Sequence, residues 1–227
     1  MCERLKLVRD RVISACEKTG RSPSDITIVA VSKTKPASMV MELYECGQRV
    51  FGENYIQEGI EKVTALSALK DIEWHFIGHL QRNKAKLAVR YFHWVETVDS
   101  ERIAGALDKY AGKEGKVLNV LIQVNIGEED SKFGVLPKEL PGLLSHVSSF
   151  TNLKIKGLMT IHPFSSKKED ARKWFSMMAA LREEMARRFP HLDLSELSMG
   201  MSNDYDLAIE EGATIVRVGT ALFGKRK

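Results

Sequence analysis

Cysteine is scarce in this chain: Cys2, Cys16 and Cys46 are the only three in 227 residues. The number is odd and no two form a CxxC pair, so neither a disulfide framework nor a zinc site is expected. Long apolar runs are also lacking, and no uninterrupted stretch approaches the roughly 20 residues a membrane span requires. The start, MCERLKLVRDRV, is charged and amphipathic and has no signal-peptide core. These absences predict a cytoplasmic protein, or at least one of a reducing compartment.

Other absences narrow the chemistry. Neither GxGxxG nor GxxxxGK(S/T) occurs, which argues against dinucleotide and P-loop nucleotide binding. No serine or cysteine lies in a nucleophile-elbow pattern. His75 and His79 are four apart but sit on and just beyond a strand pattern with no carboxylate between them, so an HExxH zinc site is excluded. A packed core histidine and a polar loop histidine are expected instead. The formal net charge is only +4, and Lys167–Lys168 and Lys225–Lys227 read as solvated surface and a tail. A nucleic-acid binder would carry a basic stripe interleaved with aromatics, and none is present.

What is present is a core. Apolar residues make up 44% of the chain and charged residues 28%, enough for a sizeable interior and a soluble surface. Leu5, Val8, Val12 and Cys16 recur at helical spacing, and Gly20 follows. The run Ile26 to Val31 reads as a buried strand, and Ala37–Glu45 as a helix stopped by Gly47. Further strands are predicted at Val50–Phe51, Trp74–Ile77, Trp94–Val98, Val117–Val124, Ile155–Met159, Leu194–Met199 and Thr214–Val218. Helical patterns fill the gaps, around Gln57–Leu66, Asn83–Tyr91, Glu101–Ala111, Leu140–Val147, Ala171–Arg188 and Tyr205–Glu211. Strand–helix alternation forces parallel pairing with crossover helices. Eight such units over residues 1–227, without a linker or low-complexity tract, fit one closed (β/α)8 barrel of the TIM type. Too few residues follow the last strand for a full covering helix. The extra N-terminal helix is therefore expected over the seam between the last and first strands.

In such a barrel the functional groups come from the C-terminal strand ends. Those ends read Ser32-Lys33-Thr34, Gly52-Glu53-Asn54, Gly78-His79, Asn125, Thr160 with His162, Gly200-Met201-Ser202 and Gly219-Thr220. Small, polar and basic residues converge there, as a phosphate-bearing ligand would require. Gly219 would let a phosphate approach backbone N–H groups, and Thr220 adds a hydroxyl; a plain tight turn is the alternative. Ser202 either caps the following helix or presents its hydroxyl at the barrel mouth. Lys33 is either a solvated strand terminator or an amine whose burial beside Lys35 disfavours its charged form, leaving it able to form a Schiff base with an aldehyde. Arg217 interrupts Ile215-Val216-Val218 and points inward to an acceptor or outward with its head in water. The pleat puts it on the face of Gly219, which favours the inward orientation.

The segments VAVSKTKP (29–36), FGENYIQE (51–58), WHFIGHLQRNK (74–84), DSKFG (130–134), GLMTI (157–161), SMGMSNDYDLAI (198–209) and VRVGTALFG (216–224) together resemble the pyridoxal phosphate homeostasis proteins. These are single-domain relatives of the alanine racemase barrel, and the resemblance spans nearly the whole chain in order. It implies that Lys33 carries pyridoxal 5′-phosphate, that Ser202, Gly219 and Thr220 hold its phosphate, and that Arg217 faces the pyridine nitrogen. Asn54 would line the cofactor, and Lys132 could serve as a second aldehyde acceptor. An arginine there leaves the ring nitrogen unprotonated and the ring a poor electron sink. Racemases of this type add a second domain that helps supply the opposing acid/base, and this sequence shows no obvious substitute. The implied role is cofactor buffering and supply to apo forms of pyridoxal phosphate enzymes, by a monomer with little or no turnover. A weakly active amino-acid racemase is the alternative.

Overall fold

β-Branched and apolar runs make strands, and apolar residues returning every three or four positions make helices. The computed structural model describes residues 1–163 and 168–224. The tail Lys225–Lys227, Lys167 and the side chain of Lys168 lie outside the described residues. The chain begins α1 (Cys2–Thr19), β1 (Thr27–Val31), α2 (Ala37–Glu45), β2 (Val50–Glu53), α3 (Ile56–Ala65), β3 (Glu73–Phe76) and α4 (Ala85–Tyr91). It continues through β4 (Trp94–Val98), α5 (Glu101–Lys113), β5 (Leu118–Val124), α6 (Leu140–Val147), β6 (Leu153–Thr160) and α7 (Lys168–Arg188). The described part closes with β7 (Glu196–Met201), α8 (Tyr205–Glu210), β8 (Ile215–Val218) and α9 (Thr220–Phe223).

The eight strands pair in chain order, all parallel, and β8 returns to β1 to close the barrel. At that seam Val29 lies opposite Arg217 and Ala30 opposite Val218. Alternation along each strand divides the interior into two layers. Outward-facing Phe51 of β2 and Phe76 of β3 join Leu107 and Leu144 of the helices in one large core. Ile122 of β5 and Leu158 of β6 are ladder partners that belong to the same outer core. Inward, Val29, Leu121, Met159 and Ile215 form a small second cluster inside the barrel. Each large side chain buried this way contributes about 1.5–3 kcal/mol.

The N-terminal helix lies where the seam argument puts it. α1 packs beside α8, α9 and α2. Arg11 pairs with Asp206 at 2.5 Å, Lys18 with Glu210 at 2.8 Å, and Arg21 donates to the Ile209 carbonyl at 2.9 Å. These partly exposed contacts fix the orientation of α1 more than they stabilise it. One expectation is overturned: Cys2 and Cys46 form a disulfide that ties the start of α1 to the end of α2. The two are 44 residues apart in the chain. Only the return of α1 across the barrel wall brings them together, so counting and CxxC spacing could not reveal the pair. Cys16 stays buried and free. Several strand boundaries also differ: β6 runs over Leu153–Thr160 where the sequence predicts Ile155–Met159, and β7 over Glu196–Met201 where it predicts Leu194–Met199. β2 runs on to Glu53 because Gly52 and Glu53 pair with His75 and Phe76. Past β8, Thr220–Phe223 form one further turn, α9. Among the described residues no helix is long and apolar enough to cross a membrane.

Candidate cofactor site

The C-terminal strand ends surround a cavity of about 490 Å³. Lys33, Asn54, Ser202, Arg217, Gly219 and Thr220, all singled out from the sequence, line it together. Lys35, Lys132, His162 and Asp204 line it as well. The lysines and Arg217 thus outnumber the Asp204 carboxylate, and that carboxylate is already occupied. Asp204 accepts from the Met201 N–H at 2.7 Å and meets His162 Nε2 at 3.1 Å. The electrostatic balance suits an anionic ligand.

At the β8 edge, Ser202 Oγ accepts from the Gly219 N–H at 3.1 Å and the Ala221 N–H at 3.3 Å. Ser202 therefore does not cap α8; Asp204 stands at that position. A Cβ at Gly219 would meet nothing closer than 3.5 Å, so protein packing does not demand glycine there. Close approach of a ligand to the backbone does give a reason for it. Arg217 points inward, as the pleat predicts, and is 5% exposed. Its NH1 donates to Ser198 Oγ at 2.6 Å and its NH2 to the Thr160 carbonyl at 2.8 Å. Burial presses its pKa below the ordinary arginine value, with Glu96 and Asp204 opposing.

Lys33 follows β1, and the backbone around it is clamped from α3. Lys62 Nζ donates to the Ser32 carbonyl at 2.6 Å, to Glu53 Oε1 at 2.7 Å and to Glu58 Oε1 at 2.7 Å. Glu58 Oε1 also accepts from the Thr34 N–H at 2.5 Å. Thr34 holds φ 63°, a left-handed conformation that a β-branched residue adopts only under constraint. Burial pushes the Glu53 carboxyl up, against the pull of Lys62 and Ser32. Asn54 Oδ1 is buried without a partner among the described residues, an acceptor open to a ligand donor. Its carbonyl passes so close to Gly78 that a Cβ there would lie 2.0 Å from it. Lys132 lines the cavity, but its amine donates to the His162 carbonyl at 2.8 Å and pairs with Glu129. That engagement ties up the amine and disfavours its use as an aldehyde acceptor.

Sequence reading missed Lys62 and Glu58, which look like the polar face of α3, and Asp204, which looks like a helix start. It separated the two histidines correctly. His79 is a loop residue stacked on Phe133 with ring centroids 3.6 Å apart, whereas His75 is buried in the barrel between Glu73 and Glu96. Burial acts against a charged His75 ring, but the two carboxylates overcome it and raise its pKa above the ordinary value of 6.5. A raised folded pKa gives stability that is complete below pH 6.5 and lost as pH rises through the folded value. Urea unfolding midpoints should therefore fall on the alkaline side, and His75→Gln should flatten that slope.

Comparison with known proteins identifies the fold and the family. The profile of the family described as "Alanine racemase, N-terminal domain" matches residues 15–227. A "Pyridoxal phosphate homeostasis protein" of Aquifex aeolicus is 45% identical over 226 residues, covering 100% of this chain and 98% of that one. PipY of Synechococcus elongatus PCC7942, solved without pyridoxal phosphate, superimposes with a TM-score of 0.90 at 39% identity, covering 99% of this chain and 100% of PipY. PipY with pyridoxal phosphate bound gives a TM-score of 0.88 at 38% identity, covering 98% and 99%. Identity at this level along the full barrel places the chain in the pyridoxal phosphate homeostasis protein family, built on the alanine racemase N-terminal barrel.

Proposed function

We propose that this protein binds pyridoxal 5′-phosphate at the barrel mouth and serves as an intracellular reserve of it, supplying apo-enzymes with little or no turnover of its own. One observation carries the reading: a single cationic cavity gathers Lys33, Arg217 and the Ser202, Gly219 and Thr220 group from opposite ends of the sequence. Lys33 is the residue whose amine condenses with the aldehyde, with loss of water. Ser202, Thr220 and the Gly219 backbone hold the phosphate, and Asn54 lines the ring, its Oδ1 an acceptor for the ring hydroxyl when that group carries its proton. Arg217 faces the ring nitrogen as a donor that does not give up its proton. When bound, the cofactor supplies a reactive aldehyde and a ring able to accept electrons. An arginine partner weakens the second property, which favours storage over racemisation. A cytoplasmic monomer completes the proposal, with Cys2, an exposed residue, open there to thiol exchange.

Titration of the purified protein with pyridoxal 5′-phosphate should develop a visible absorption band. Borohydride should bleach it and leave the reduced adduct on the Lys33 peptide. A protein that stays colourless at saturating cofactor rejects the reading. Incubation with single-enantiomer amino acids then decides the rival: inversion at enzyme-like rates makes the protein a racemase.

A further inference from the structure

Beneath Arg217 a line of polar side chains runs through the barrel to its opposite rim. Ser198 Oγ donates to Glu96 Oε2 at 2.5 Å, Glu96 Oε1 meets His75 Nδ1 at 2.6 Å, and His75 Nε2 meets Glu73 Oε1 at 2.9 Å. Ser198 and Glu96 are 0% exposed and His75 is 1% exposed, while the Glu73 side chain reaches solvent. Four strands, β8, β7, β4 and β3, each contribute to the line. Trp94 stacks on His75 with centroids 5.1 Å apart and closes it from the side.

Donor and acceptor identities fix its direction. Arginine only donates, so Ser198 Oγ must accept from Arg217 and spend its own proton on Glu96. Both ring nitrogens of His75 face carboxyl oxygens, so with Glu73 and Glu96 ionised both carry protons and the ring is an imidazolium. The charges then alternate from Glu73 through His75 and Glu96 to Arg217. His93 near Glu73 and Asp204 near Arg217 also act on this line. Buried ion pairs seldom stabilise more than apolar residues of equal volume, so stability alone gives little reason for this arrangement.

We propose that Ser198, Glu96 and His75 are positioning residues that hold the Arg217 guanidinium, oriented and charged, at the ring-nitrogen end of the cofactor pocket, an inference that rests on the cofactor reading above. Ser198→Ala cuts the line with the smallest change of shape, and His75→Gln cuts it one step further away. In cofactor-free protein, the Arg217 side-chain NH signals should be resolved by NMR in the wild type and averaged by exchange in Ser198→Ala. In protein loaded with ring-15N pyridoxal 5′-phosphate, both variants should still be labelled at Lys33 by borohydride. Their ring-nitrogen shift and the pH profile of the visible band should move, with roughly tenfold weaker cofactor retention. Wild-type NH signals in Ser198→Ala, or an unmoved ring-nitrogen shift in both loaded variants, overturns the inference. Failure of the wild type to load rejects the cofactor reading instead, and the cofactor-free spectra still decide whether the line holds Arg217. Should His75→Gln not fold, Ser198→Ala carries the test alone.

Discussion

Lys33→Ala should remove the visible band and the borohydride-stable adduct, and leave a weaker, reversible association with the cofactor. The residual binding follows from the proposed site, because the phosphate donors assigned to it, Ser202, Gly219 and Thr220, belong to β7, β8 and their turns, not to β1. Loss of a positioned amine should cost about 100-fold or more in retention, since capture at Lys33 is intramolecular once the phosphate is seated. Equilibrium dialysis with cofactor fluorescence measures it. Ser202→Ala should behave in the opposite way, weakening retention about tenfold while the adduct still forms at Lys33. An adduct that persists in Lys33→Ala, and maps to Lys132, would mean that the linkage has been given to the wrong lysine.

Much of this site is legible in the sequence because a parallel barrel turns strand ends into a list of mouth residues. Lys33, Asn54, Ser202 and Gly219-Thr220 all follow strands whose apolar runs are plain, and the pleat aims Arg217 inward. The polar line below Arg217 is partly legible too. His75, Glu96 and Ser198 each interrupt an apolar strand at an inward position, but only the closed barrel shows that they touch. Lys62 is harder to read. On α3 it follows Glu58 at i+4, the pattern of an ordinary exposed ion pair. What buries it is the packing of α3 against β2, a tertiary fact without a local signal. The Cys2–Cys46 bond is illegible for the same reason, since it depends on where α1 lies on the wall.

Lys62→Met should be among the most destabilising single substitutions in this chain, by about 3–5 kcal/mol. Methionine keeps most of the volume but leaves the Glu53 carboxylate, 0% exposed, with only the Ser32 hydroxyl. Its Oε2 already lacks a partner among the described residues. The loss should depend on pH in a defined sense. Burial already raises the Glu53 pKa above the ordinary 4.5, and removal of the ammonium raises it further. A raised folded pKa means stability complete below pH 4.5 and lost as pH rises through the folded value. The variant should therefore lie nearest the wild type in acid and furthest from it at neutral pH, and adding Glu53→Gln should restore much of the difference. Urea midpoints across that range measure both effects. The same substitution frees Glu58 and the Ser32 carbonyl, the two holds on the strained backbone around Lys33. Capture of the cofactor should slow accordingly in whatever fraction remains folded. A variant as stable as the wild type at neutral pH would show that the Lys62 ammonium is not what supports the Lys33 turn.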